Sequence, residues 1–399
     1  MKILQITNKA IYPPDGGNLA ILSLAKGYVK NGHSVHILNM TTHKHYNKED
    51  HIENEYKKQL EITGVKINSK ISVFKLITNL IFSKKPYISE RFASKTFTKK
   101  LVELLKTESF DFVQLESLYS LPYIETVRKH FKGKILYRPH NLEYLIWERI
   151  AKETSSILKR VYFRIISKRL KQLEKTLMNT YDILVPITTN DAEIYRSMGN
   201  TKPMINAPFG IDIQKTNLLK KPSKIESEPI INYIGALDWI PNQQGLIWFI
   251  KECLPIIQKS IENIRLKVAG RNAPQWFIKK LKGENIQYFG EVDNAYDFIQ
   301  NPGPMIVPLF SGSGMRVKII EFMGLNKLVI ATSMAAEGIE CEHNKNILLA
   351  DSAEEFAKLI TMSVKENSNQ EKIGENASYF VSKNHNFTDI AANILNYIQ

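Results

Sequence analysis

The chain of 399 residues is about twice the size at which one hydrophobic core usually divides, so two domains are expected. Hydrophobic residues make up 43% and charged residues 24%, which excludes a disordered chain, while only two cysteines exclude a disulfide framework. The formal net charge of +14 comes from scattered lysines without a nucleic-acid-binding signature, so no nucleic-acid partner is expected.

The chain begins with an apolar run that Asn8 and Lys9 interrupt, which indicates a first buried strand rather than a secretory signal. The apolar stretch 71–82 is too short to span a bilayer and carries Lys75 and Asn79. Together with the scarcity of cysteine, these features predict a cytoplasmic protein.

In the first half, near-continuous apolar runs alternate with helical patterns, for example at 18–31 and 157–178. This alternation predicts a parallel sheet with helices on both faces. The predicted strands are 2–7, 34–39, 65–71, 112–116, 134–137, 182–187 and 204–207.

Residues 212–229 are polar, contain two prolines and show no periodicity, so they are predicted to be a linker. The second half then repeats the alternation. Its predicted strands are 230–234, 265–269, 286–289, 305–309, 327–331 and 346–349, and its predicted helices are 243–260, 274–281, 295–300, 317–324, 353–365 and 387–398. The fold class is therefore α/β with two Rossmann-like domains: residues 1–208 with the terminal helix 387–399, and residues 209–386.

Ligands of parallel sheets bind beyond the carboxyl ends of the strands, so the residues that follow each strand are the site candidates. Gly16 and Gly17 follow the first strand and could let backbone N–H groups approach an anion, although a tight turn explains them equally well. His140 follows strand 134–137 and could contact a sugar hydroxyl or a phosphate, and the alternative is a capping or core histidine.

The richest segment follows strand 305–309, where a Gly-Ser-Gly turn leads into a predicted helix. Its free N–H groups and dipole favour a phosphate, and two cations in the first turn are easier to explain if an anion binds there. The alternative is a solvated basic helix start with a Lys–Glu pair three residues apart. The candidate donor-binding and catalytic residues of this segment are Gly312, Ser313, Gly314, Arg316, Lys318 and Glu321.

Arg271 adds a cation at the turn after strand 265–269. The chain contains no Asp-x-Asp pair, which disfavours a nucleotide sugar held through Mg²⁺, and no cluster of His, Cys and Asp indicates another metal site. We therefore expect no metal and no cofactor.

These segments, in this order, resemble the retaining glycosyltransferases of family 4, which have the GT-B architecture of two Rossmann-like domains facing across a cleft. The resemblance extends over nearly the whole chain. The matching segments are 13–17, 32–35, 139–143, 235–242, 268–271, 308–321 and 336–339.

The resemblance implies a nucleotide-diphosphate sugar donor on the C-terminal domain and a glycan or lipid-linked acceptor on the N-terminal domain, in cell-surface polysaccharide synthesis. It implies that Gly16 and Gly17 approach the donor, that His140 contacts the transferred sugar, that Glu321 holds the ribose, and that Glu291 and Val292 lie near the base.

The chain departs from the pattern of the family at three positions. Ser313 replaces the first of two glutamates separated by seven residues, and Ala236 and Gln244 replace an Arg and a Lys of many relatives. These departures indicate a subgroup with a Trp-x-Pro-Asn loop in which Arg316 and Lys318 act as the phosphate cations.

Two other functions stay open at this stage. A nucleotide-sugar epimerase has the same architecture but would need acids for elimination, and a degenerate transferase could be a non-catalytic scaffold subunit. The basic helical patterns at 157–178 and within 69–106 also predict peripheral contact with the inner face of an anionic membrane, although such helices pack on sheets as well.

Overall fold

The computed structural model describes residues 1–12, 16–42, 52–70, 72–220, 229–312, 314–365 and 367–399. The chain divides into two compact units, the first formed by Met1–Gly210 with Phe387–Gln399 and the second by Ile211–Asn386. Within these residues, no helix is both long enough and apolar enough to cross a membrane.

The first unit is built on a six-stranded parallel sheet in the order β3-β2-β1-β4-β5-β6. Its central strands are buried along almost their whole length, as expected for a sheet covered on both faces. Strands β1 to β6 span Lys2–Thr7, Ser34–Thr41, Leu60–Lys66, Phe112–Glu116, Lys134–Arg138 and Ile183–Leu184.

Helices surround this sheet, and short helical turns connect several of them. The longest is α7, which packs against α6 as a helical hairpin. Helices α1 to α8 span Gly16–Lys30, Val73–Phe82, Tyr87–Glu90, Lys95–Thr107, Ile124–His130, Glu143–Glu153, Ile157–Leu177 and Thr189–Ser197.

The second unit has its own six-stranded parallel sheet, in the order β12-β11-β10-β7-β8-β9. Counted from its first strand, this is the same doubly wound order as in the first unit. Strands β7 to β12 span Ile230–Ile234, Arg265–Ala269, Ile286–Gly290, Met305–Val307, Val329–Ala331 and Leu348–Leu349.

Helices α9 to α16 of the second unit span Ile213–Leu219, Ile240–Trp248, Leu254–Ser260, Gln275–Ile278, Ala295–Ile299, Val317–Gly324, Ala353–Lys365 and Asn367–Asn384. A π-helical segment, Phe249–Cys253, connects α10 to α11, so the predicted helix 243–260 is not uniform. Pro255 explains the wide turn, because proline has no N–H for the regular bond to the residue four positions earlier.

The last helix, α17 (Phe387–Ile398), packs on α1 of the first unit. A Cβ atom on Gly27 would lie 2.4 Å from the Phe387 carbonyl oxygen, so only glycine permits this close approach. The side chain of Asn31 fixes the same junction by donating to the Thr388 carbonyl at 2.9 Å.

Besides the interrupted helix 243–260 and shifts at the ends of other elements, three predicted segments differ from the observed structure. The strand predicted at 65–71 is β3, which begins five residues earlier because Leu60 pairs with Val35. No strand forms over 204–207, where Pro186 lacks the N–H that would extend the pairing with β6. The predicted linker begins with helix α9, which Asp212 caps by accepting from the Lys215 amide at 2.9 Å, while residues 221–228 lie outside the described residues.

Candidate active site

The strand order fixes where each unit can hold a ligand. In both sheets the order reverses at the first strand of the unit, between β1 and β4 and between β7 and β10. Open parallel sheets bind ligands at the carboxyl ends of the strands that flank such a reversal. The segments after these strands therefore form the two candidate half-sites, one in each unit.

In the first unit, Glu116 at the end of β4 forms the centre of a buried network. The Nε2 atom of His140 lies 2.5 Å from the Glu116 carboxylate, and Arg138 donates to the same oxygen at 3.3 Å. Glu116 is fully buried and Arg138 is 1% exposed, so this ion pair is sealed from solvent. Because a carboxylate accepts, the His140 proton belongs on Nε2.

The electrostatics of this network keep Glu116 charged and His140 neutral. Burial acts to raise the pKa of Glu116, but Arg138, His140 and Gln114 outweigh it, and the pKa is lowered. Burial, Arg138 and Lys9 lower the pKa of His140, whereas Glu116 acts to raise it. The lowering influences are the larger, so the pKa of His140 is lowered. At neutral pH the ring is thus an uncharged imidazole, with Nδ1 as the nitrogen that could accept a bond from a ligand.

The backbone after β4 is strained at the same place. Ser117 has a φ of 73°, which is uncommon for a residue other than glycine and clusters at functional sites. Its hydroxyl donates to the Asn8 side chain at 2.7 Å, which ties the ends of β4 and β1 together.

Helix α1 starts at this edge of the sheet, directly after the segment that follows β1. Gly16 and Gly17 are its first two residues, so their amides belong to the turn where a helix dipole favours an anion. Residues 13–15 of the same predicted motif lie outside the described residues.

The contact between Glu143 and Glu174 was not predicted from the sequence, because the two residues are 31 positions apart. The Glu174 carboxylate on α7 accepts from the Glu143 amide at 3.1 Å, and the Glu143 carboxylate accepts from the Tyr119 hydroxyl at 2.9 Å. Glu174 is 2% exposed. Burial, reinforced by the charge of Glu143, raises the pKa of Glu174 to about 8.

This raised pKa predicts a loss of stability with rising pH. An unfolded glutamate ionises near pH 4.5, whereas folded Glu174 holds its proton to about 8, so the free energy of unfolding falls between these pH values. Glu174→Gln removes the titration, and we expect it to raise the melting temperature at pH 8 but not at pH 4. A variant that melts with the wild-type pH dependence would contradict the assignment, and Glu148→Gln on the α6 surface is the matched control.

In the second unit, the segment after β10 forms a turn that only glycine accommodates easily. Gly312 and Gly314 have φ values of 113° and 75°. A Cβ atom on Gly312 would lie 3.0 Å from the Arg316 guanidinium and 3.2 Å from the Trp239 ring, so these side chains pack around the turn. Ser313 between the two glycines lies outside the described residues.

Arg316 and Lys318 enter this half-site from different local structures. Arg316 is the extended N-cap residue of α14, is 7% exposed and donates to the Gly314 carbonyl. Lys318 is the second residue of the helix. This combination of one turn residue and one helix residue allows both cations to face one ligand, although residues two apart in a regular helix do not share a face.

The Lys318 ammonium lies against the end of β7. It donates to the Asn242 side chain at 3.3 Å and sits 4.9 Å from the centre of the Tyr233 ring. A Cβ atom on Gly235 would lie 3.4 Å from Nζ. Burial, together with the nearby charge of Arg316, lowers the pKa of Lys318 to about 7, because both disfavour the charged ammonium.

The remaining predicted residues of this unit also follow the carboxyl ends of strands or lie on α14. Glu321, one turn further along α14, lines a small cavity with Tyr296 and residues of α9, and burial raises its pKa to about 7. Arg271 follows β8, and its carbonyl accepts from the Leu237 amide at 2.9 Å. Glu291 and Val292 follow the edge strand β9, two strands from β7.

The described residues contain one cluster with the composition of a metal site, formed by His36, Glu61 and Glu108. His36 is near the amino end of β2, whereas the half-site of the first unit lies at the carboxyl ends of the strands. Lys2 binds Glu108 at 2.7 Å, so an ammonium already neutralises this carboxylate.

Comparison with known proteins shows which families and folds this chain resembles. Residues 228–366 match the family model of glycosyl transferases group 1. A 44.6 kDa protein of the cps region of Klebsiella pneumoniae is 25% identical over 98% of both chains. A glycosyltransferase of Methanocaldococcus jannaschii is 26% identical over 54% of this chain and 58% of its own length.

Two solved structures have the same fold as the whole chain. Sucrose-phosphate synthase from Thermosynechococcus elongatus has a TM-score of 0.72 at 16% identity, covering 100% of this chain and 98% of the synthase. Anabaena HepE in complex with UDP also has a TM-score of 0.72, at 14% identity, covering 100% of this chain and 99% of HepE. The predicted GT-B fold is thereby confirmed, and residues 228–366, most of the second unit, match the group 1 glycosyl transferase model.

Proposed function

We propose that this glycosyltransferase moves a sugar from a nucleotide-diphosphate donor to a glycan or lipid-linked acceptor, with retention of anomeric configuration, in cell-surface polysaccharide synthesis. The proposed binding of a nucleotide-diphosphate donor rests on the two cations Arg316 and Lys318 at the start of α14. A helix N-terminus already favours anions, so two partly buried cations there call for a ligand of high negative charge. A diphosphate meets that requirement, and the pairing of HepE with UDP is in keeping with it.

In this proposal, the site around Arg316 and Lys318 stabilises the charge that develops on the leaving group. Breaking the bond between sugar and diphosphate leaves growing negative charge on the leaving phosphate oxygen. The candidate donors to that oxygen are the amide groups of the turn 312–314, the Arg316 guanidinium and the Lys318 ammonium. Preorganised donors of this kind act strongly where water is excluded. The polysaccharide context is supported by the relative from a cps region.

The first experiment is a thermal-shift screen of nucleotide-diphosphate sugars, followed by hydrolysis of the donor that stabilises the chain. A donor that binds the folded state raises its stability in proportion to occupancy. Slow hydrolysis of the bound donor supports a transferase, whereas binding without any hydrolysis or transfer favours the non-catalytic scaffold. Epimerised sugar in the product would favour the epimerase.

We also propose that catalysis needs no divalent metal, because Arg316 and Lys318 neutralise the leaving diphosphate. Sugar transfer should therefore be unchanged, within about twofold, when the enzyme is assayed in EDTA. Loss of transfer in EDTA followed by recovery with Mg²⁺ would contradict this mechanism. Donor binding measured in the same buffers separates an effect on affinity from an effect on chemistry.

His140→Ala should lower turnover by about two orders of magnitude while donor affinity changes little. The reason is that a neutral imidazole oriented by Glu116 can accept a bond from a sugar hydroxyl through Nδ1. Turnover and the donor dissociation constant should be measured together on a variant with a normal melting temperature. Full activity would instead assign His140 to the buried network alone, and Asn141→Ala is the neighbouring control.

A further inference from the structure

Helix α2 of the first unit exposes large apolar side chains to solvent. Phe74 is 77% exposed, Ile81 65% and Phe82 85%, and Ile77 is also exposed. Residues at spacings of three, four and seven lie on one face of a helix, so these side chains form a stripe. A contiguous apolar surface of this kind marks an interaction site more often than an ordinary surface.

The first turns of α7 show the same feature. Ile157 is 73% exposed and Leu158 84%, and Val161 one turn later is exposed as well. Further along, the Arg169 guanidinium donates to the Leu80 carbonyl at 2.8 Å and to the Asn79 side chain at 3.1 Å. This contact joins α7 to the carboxyl end of α2, so both exposed stripes belong to one region of the unit.

The exposed charged residues within and beside these stripes are cations. Residues 73–85 contain no aspartate or glutamate, and the one acid of α7, Glu174, is buried. The exposed cations of the region are Lys75, Lys84, Lys85, Lys159, Arg164 and Lys168. An apolar stripe flanked by lysine and arginine is the pattern of a helix that lies in the interface of an anionic bilayer.

We propose that α2 and residues 157–168 of α7, together called the docking surface, attach the first unit to an anionic lipid bilayer. The phenylalanines and isoleucines enter the boundary of the acyl chains, and the lysines and arginines contact lipid phosphates. The charge decides between a bilayer and a second copy of the chain, because two such surfaces would place like charges opposite each other. The inference does not depend on which sugar the enzyme transfers.

The test is flotation of the full chain with vesicles of phosphatidylcholine alone or mixed with phosphatidylglycerol. We expect binding to the mixed vesicles at low salt, weak binding to phosphatidylcholine, and release as salt screens the lysines. Phe74→Ser with Phe82→Ser should lower binding at least about thirtyfold, because two aromatic side chains no longer enter the interface. Lys159→Glu with Lys168→Glu should lower it at least about tenfold.

Matched controls come from exposed residues of the second unit. Leu218→Ser with Tyr379→Ser, and Lys279→Glu with Lys280→Glu, change the same kinds of side chain and should bind vesicles like the wild type. The proposal is overturned if the wild type does not bind the mixed vesicles at low salt, or if the control and docking-surface variants bind equally. It is also overturned if the wild type is a dimer that the phenylalanine substitutions dissociate.

Discussion

Lys318→Ala is expected to lower turnover by about two to three orders of magnitude, the cost of removing one preorganised donor from a site of developing charge. The ammonium lies at the switch point of the second sheet, against Tyr233 and the Asn242 side chain. Arg316→Ala should fall in the same range, because its guanidinium is buried at the N-terminus of the helix that carries Lys318. The loss should appear in turnover as well as affinity, since the charge develops only as the bond breaks.

The lowered pKa of Lys318 gives a second measurement of the same assignment. With a pKa of about 7, a fraction of the ammonium is deprotonated near neutrality in the free enzyme. A diphosphate favours the charged form, so donor binding should take up a proton and should weaken as the pH rises above about 7. Calorimetry of donor binding in two buffers of different ionisation enthalpy measures that proton directly.

The controls for this pair are cations of the same unit that lie elsewhere. Arg271→Ala should have a clearly smaller effect on turnover, and Lys251→Ala on the π-helical segment should have none. If only one of Arg316 and Lys318 matters, the other does not contact the diphosphate. If neither matters, the diphosphate binds at another place and the mechanism proposed here is wrong.

The fold could be predicted because its signals are local. Buried parallel strands have near-continuous apolar sequences, and 2–7, 112–116, 230–234 and 265–269 match the observed strands residue for residue. The errors arose where tertiary pairing decides, as at β3, whose start depends on its partner β2. Helix α9 was missed because a seven-residue helix beside a polar stretch has too few residues to show a period.

The candidate site was predictable only in part, because its buried partners are distant in sequence. Arg316 and Lys318 were predicted from the turn and helix around them, but the contacts of Lys318 with Asn242 and Tyr233 join residues 76 and 85 positions apart. Glu116 is the one charged residue of the buried strand FVQLE, and this is the signal that could have revealed it. Glu174 lies among the lysines of α7, where the sequence resembles a solvated helix face.

Glu116→Ala should lower the free energy of unfolding of the first unit by about 3–5 kcal/mol, the usual cost of removing one partner from a buried ion pair. The reason is that Arg138, only 1% exposed, would keep its charge without a carboxylate beside it. Hydrogen exchange of the β4 and β5 amides measures this effect in the first unit alone. Glu116→Gln should cost less, because its amide oxygen can still accept a hydrogen bond.

The pH dependence of this network follows from the two lowered pKa values. Glu116 titrates lower when folded, so its contribution is present above pH 4.5 and is lost as the pH falls through the folded pKa. His140 also titrates lower when folded, so the unfolded chain takes up its proton first and stability falls as the pH drops below 6.5. The wild type should therefore lose protection of β4 and β5 in acid.

The double variant Glu116→Gln with Arg138→Met removes both charges and leaves no unpaired ion in the network. Its cost should be smaller than the sum of the two single substitutions, which is the signature of a direct interaction. Additive losses, or a Glu116→Ala variant as stable as the wild type, would contradict the buried network. In that case Glu116 would not orient the His140 ring through Nε2, and the role proposed for Nδ1 would have no structural basis.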